Sequence, residues 1–156
     1  MTEQERIQSY FKKPLKRADR ELDWSETQLS MKICEYLRDY HPTIPFQVDM
    51  SGEKLSKVAA QRSAKARAGE YKQPDLTLYV KKGKFGTLML ELKKLSTHPL
   101  RKDGKLKAGE HLELQAKSIK WLRSYGQCAD FAVGYEDTIN KINKYLTDGD
   151  FEYLLE

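Results

Sequence analysis

The chain predicts an α/β domain with a central mixed β-sheet between helices, on three observations. Residues 75–80 and 87–93 alternate apolar and polar side chains around a glycine-containing turn, the pattern of a β-hairpin. Residues 128–135 are mostly apolar and read as a further, central strand. Segments of helical spacing lie before, between and after these strands. The order helix, strand, hairpin, helix, strand, helix packs most simply as a sheet between helices. With 156 residues, 39% hydrophobic and 33% charged, there is apolar material for one core and none for a second, which excludes a two-domain enzyme.

Residues 1–22 are rich in charge, contain Pro14 and show no sustained apolar period, so they read as an N-terminal extension, with residues 23–156 as the folded domain. Asp23, Trp24, Ser25 and Glu26 open the first helix, because Asp or Ser caps free amides while Leu29, Ile33, Tyr36, Leu37 and Tyr40 recur at helical spacing. His41-Pro42 ends it. Residues 45–50 alternate like a short strand, and Ser51-Gly52 supplies its turn. Over residues 53–69 the composition shifts to Ala, Lys and Arg, which predicts a basic helix or ordered arm. Residues 95–109 form a polar, basic loop, long enough to be functional or mobile. The helix at 110–125 turns Leu112, Ala116, Ile119 and Leu122 inward, with Gln115 bordering that stripe and Gly126 at its stop. A last helix at 136–146 carries Ile139, Ile142 and Leu146 on one face.

Cys34 and Cys128 lie far apart among apolar neighbours and read as reduced core residues. His41, His98 and His111 lack metal-ligand spacing and read as surface or turn residues. No apolar run approaches the roughly 18 residues of a membrane span. The first residues are too charged for a signal peptide, so the expected location is intracellular, with no membrane partner.

The hairpin carries the chemistry. Leu76, Leu78 and Val80 in its first strand, and Leu88, Leu90 and Leu92 in its second, place the apolar residues at even positions. Side chains alternate with a period of two, so burying the even face gathers Asp75, Thr77, Tyr79, Met89, Glu91 and Lys93 on the other. A turn near Gly83 and Lys84 then sets Asp75 beside Glu91 and Lys93. The two carboxylates, with the main-chain carbonyl of Leu92, are hard oxygen donors of the kind that hold Mg2+ or Mn2+. Such a metal lowers the pKa of its water, Lys93 is placed to orient that water, and phosphodiester hydrolysis needs these parts. Against this stands a plainer reading, since a solvent-facing strand commonly carries Asp, Glu, Lys and Thr.

The surrounding pattern goes further. Pro74-Asp75, followed after a hairpin by Glu91-Leu92-Lys93, with Gln115 on the next helix and Glu26 on an earlier one, resembles the PD-(D/E)xK nuclease superfamily, and within it the VRR-NUC family of virus-type replication-repair nucleases. Glu26-Thr-Gln28, Asp49-Met-Ser-Gly52, Leu122-Arg-Ser-Tyr-Gly126 and Phe131-Ala-Val-Gly134 extend the likeness over about residues 24–146. The resemblance implies a restriction-endonuclease-like fold and a divalent-metal-dependent endonuclease in replication, recombination or repair. It implies Asp75 and Glu91 as metal ligands, Lys93 as the water-positioning residue, Glu26 as a further acidic residue at the metal, and Gln115 as support for site or substrate. It also implies a homodimer acting on branched DNA such as Holliday junctions. Many relatives carry Gly before the Pro-Asp pair, where this chain has Gln73. Glu26 also has a reading without metal, as the third residue of a capping box opened by Asp23, and Gln115 one as a helix-edge residue.

A formal charge of +5 suits an anionic partner without requiring one. Lys54, Lys57, Arg62, Lys65, Arg67 and Lys72 precede the hairpin, and Arg101, Lys102, Lys105 and Lys107 follow it, a distribution suited to gripping the DNA backbone. Tyr71, Tyr79 and Trp121 are candidates for base stacking or for the core. In the tail, Gln4, Ile7, Tyr10 and Phe11 have the spacing of a sliding-clamp-binding peptide, the alternative being a helix that docks on the protein itself or on a dimer mate. A non-catalytic DNA-binding or clamp-recruited accessory protein, and an RNA-directed nuclease, are the competing functions.

Overall fold

The computed structural model describes residues 2, 5, 23–49 and 56–156. The clamp-binding residues Gln4, Ile7, Tyr10 and Phe11, the turn Ser51-Gly52 and the basic residue Lys54 lie outside them. The elements run α1 (Glu26–Tyr40), β1 (Phe46–Val48), α2 (Lys57–Lys65), β2 (Leu76–Leu78), β3 (Leu88–Lys93), a 3-10 turn at Leu95–Thr97, α3 (Glu110–Ser124), β4 (Cys128–Val133) and α4 (Gly134–Asp148). The four strands form one sheet in the order β1-β2-β3-β4, antiparallel for the first two pairs and parallel for the last. Among the described residues no helix is long and apolar enough to cross a membrane.

The hairpin register follows from the leucines. Leu76 pairs with Leu90 and Leu78 with Leu88, and the chain reverses at Gly83-Lys84, where Lys82 and Phe85 exchange backbone hydrogen bonds of 3.1 and 2.9 Å. Together with Leu92, Cys128 and Ala132 these even positions face Leu29, Ile33 and Leu37 of α1 and Ile139, Ile142 and Tyr145 of α4. The odd face has its own smaller core, in which Met89, Ala129 and Phe131 meet Ala116 and Ile119 of α3 and Leu155 near the chain end. Thus β3 is buried on both faces, which rules out the plain solvent-facing strand.

Several expectations need correction. Of the expected capping residues Asp and Ser, Ser25 caps the first helix, in a reciprocal box with Gln28, so the alternative box of Asp23 with Glu26 does not form. Asp23 instead accepts the Ser96 N–H at 3.1 Å. His41 is at the predicted helix end but buried, its ring 3.3 Å from the Tyr36 hydroxyl and 3.2 Å from Asn143 Oδ1. β4 is an end strand rather than a central one, and it is apolar because helices cover both faces. It also carries the buried carboxylate Asp130, which accepts the N–H groups of Leu154 and Leu155 at 2.6 and 3.0 Å and lies 3.3 Å from Lys141 Nζ. β4 stops before residue 135 because Gly134, at φ +80°, opens α4, and a side chain there would meet Leu95 at 2.6 Å. The basic loop is folded back on itself, with Leu100 bridged to Leu106 and both packed on the odd-face core.

Candidate active site

The site lies where the covered part of the odd face ends. Because Leu76 opposes Leu90 in an antiparallel pair, Asp75 opposes Glu91, and their carboxyls hydrogen-bond to each other. Asp75 Oδ2 also accepts the Leu92 N–H at 2.8 Å. The N–H and C=O of one strand residue point to the same edge, so the Leu92 carbonyl faces Asp75, beyond the last ladder pair of β2. From α3, Gln115 Nε2 donates to Glu91 Oε1 at 2.7 Å. Glu91 and Gln115 are each 5% exposed and Lys93 7%. Lys93 Nζ stands 4.0 Å from Glu26 Oε1.

Burial disfavours charge on both acids. It raises the pKa of Asp75, although the bonds from Glu91 and the Leu92 N–H pull the other way. It pushes Glu91 well above the usual carboxylate range, and the neighbouring Asp75 adds to the shift by its charge and by accepting the Glu91 proton. A cation between them would offset both penalties.

Asp75, Glu91, Lys93 and Gln115 are thus brought together as the pattern requires, and Glu26 reaches the cluster through Lys93. Among the described residues no group of three or more His, Cys, Asp and Glu side chains gathers as a metal-holding set, so Glu26 does not complete a three-carboxylate cage. What remains still fits a hard dication: two adjoining carboxylates, the Leu92 carbonyl, and Gln115 Oε1, a buried acceptor without a hydrogen-bond partner. His111, set aside for its spacing, lies at the rim with Nε2 3.1 Å from Gln115 Nε2; its i, i+4 relation to Gln115 was the available signal.

The basic residues stand at the surface. α2 buries no residue, so Lys57, Arg62 and Lys65 are displayed in full, and Arg67 and Lys102 are exposed. Lys72 is half-buried, its N–H bonded to Ser118 Oγ at 2.8 Å, and Arg101 pairs with Asp103 at 3.3 Å. Tyr79 and Trp121 are 51% and 44% exposed, so neither is a core residue, and Tyr71 meets the Trp121 ring edge-on at 5.9 Å.

No protein-family model matches the chain, and no curated protein matches it in sequence. A solved structure named VRR_NUC domain protein is similar to it, with a TM-score of 0.53 and 22% identity, covering 85% of this chain and 97% of that one. At that identity the likeness is one of fold. The chain has an α/β fold of restriction-endonuclease-like type, with a four-stranded mixed sheet flanked by helices.

Proposed function

We propose that the protein is a divalent-metal-dependent DNA endonuclease of VRR-NUC type, selective for branched DNA in replication, recombination or repair and working as a homodimer. The observation that carries the reading is the half-buried Asp75 hydrogen-bonded to the buried Glu91, with the buried Lys93 on the same face. An Mg2+ or Mn2+ held by Asp75, Glu91 and the Leu92 carbonyl would supply an acidified water and neutralise charge developing on the phosphate. The chain's own groups do the rest. Gln115 fixes the rotamer of Glu91, and the Leu92 N–H fixes that of Asp75. Lys93 Nζ orients the attacking water, with Glu26 beside it. The exposed Lys57, Arg62, Lys65, Arg67 and Lys102 hold the backbone by charge, which gives dependence on structure more than on sequence.

The test is cleavage of branched and linear DNA, and of RNA counterparts, with and without metal. Asp75→Ala and Lys93→Ala are expected to lose about a thousandfold in rate. Cutting that persists equally in both variants rejects the site. A second reading, a non-catalytic DNA-binding protein, is favoured by the lack of a three-carboxylate group among the described residues. Salt-dependent DNA binding with no cutting in any metal would select it.

A further inference from the structure

α3 covers the odd face over β3 and β4, and none of its residues lines the part of that face over β1 and β2. There a cavity of about 230 Å³ is lined by Gln47, Asp49, Gln73, Thr77 and Tyr79. Gln47 and Thr77 are register partners, and Thr77 is two residues on from Asp75, so the cavity floor lies roughly 7 Å along β2 from the acidic pair. The Asp49 N–H ties the cavity to that pair by donating to the Asp75 carbonyl at 2.8 Å. One wall is held in place: the Tyr71 hydroxyl donates to Gln73 Oε1 at 2.7 Å, and Gln73 Nε2 donates to Thr77 Oγ1 at 3.3 Å.

The chemistry of the lining selects its ligand. Among the described residues no lysine or arginine lines the cavity. Two primary amides, a buried hydroxyl and a half-exposed phenol ring suit a flat, neutral group with both donors and acceptors. The volume admits one such ring system and no base pair. We propose that this cavity receives a single unpaired nucleobase beside the cleaved phosphate, with Tyr79 stacking on it and Gln47 and Gln73 meeting its edge. Among branched DNAs, such a pocket favours those whose junction leaves a base free of its partner. This inference rests on the nuclease reading.

The test steps a single abasic site through the nucleotides flanking the cut in a branched substrate. Wild type is expected to lose about tenfold in cutting rate at one position. Tyr79→Ala and Gln47→Ala, both at exposed residues, should lose a similar factor on the intact substrate and nothing more at that position. A flat profile, or a positional loss that survives in both variants, overturns the pocket. If wild type cuts none of these substrates in Mg2+ or Mn2+, the nuclease reading fails by itself. Fluorescence polarisation with the same series then judges the pocket: one weakened position supports it and uniform affinity overturns it.

Discussion

The two faces of the sheet are made by the same strands and do opposite work. On the even face Leu76, Leu78, Leu88, Leu90 and Leu92 are wholly buried against α1 and α4, with no ionisable side chain from β2 or β3 among them. On the odd face α3 covers Met89 and Phe131 and, through Gln115, meets Glu91, and with Lys93 also buried, charge chemistry is held at low exposure one residue away from an aliphatic core. The even face fixes where the strands lie. The odd face can therefore carry groups that burial penalises, because the leucines have already set their register.

That division can be broken from either side. The largest effect expected is the thousandfold loss of cutting in Asp75→Ala and Lys93→Ala with the fold intact, checked by melting temperature alongside the rate. Next is Leu90→Ala on the even face, expected to cost about 2–5 kcal/mol of stability in urea unfolding, because its neighbours collapse only in part around the gap. A smaller effect sharpens the contrast through pH. The folded-state pKa values of Asp75 and Glu91 are raised, so between the ordinary values of 3.8 and 4.5 and their folded values the native state binds more protons than the unfolded chain. Metal-free stability is therefore full below that window and falls as pH rises through it. Glu91→Gln, which keeps an acceptor for Gln115 and a donor for Asp75 without the charge, is expected to flatten that slope. It should gain about 1–2 kcal/mol at pH 8 in the absence of metal, measured by urea unfolding across pH.

The hairpin and the placing of Asp75 against Glu91 were legible because a period of two leaves one arrangement once the leucines are buried. The turn at Gly83-Lys84 followed from the same spacing. Coverage of the odd face was not legible: Glu91 and Lys93 look like wet-side residues, yet both are buried, and Glu91 accepts from Gln115 of α3, some twenty residues on. The end position of β4 was hidden for a similar reason, since burial by helices on both faces produces the same apolar run as a central strand. The partners that bury Asp130 in that run, the N–H groups of Leu154 and Leu155, are distant in sequence. The capping of α1 by Ser25 rather than Asp23 turned on a choice between residues two apart, which local preference does not separate.

The central claim is that Asp75 and Glu91 form one cation site. Mn2+ binding to the metal-free protein, followed by electron paramagnetic resonance at pH 7.5 in wild type, Asp75→Asn and Glu91→Gln, tests it most directly. One bound ion per chain in wild type, lost in each variant, is the predicted result. Binding that is absent in wild type, or undiminished in both variants, contradicts it.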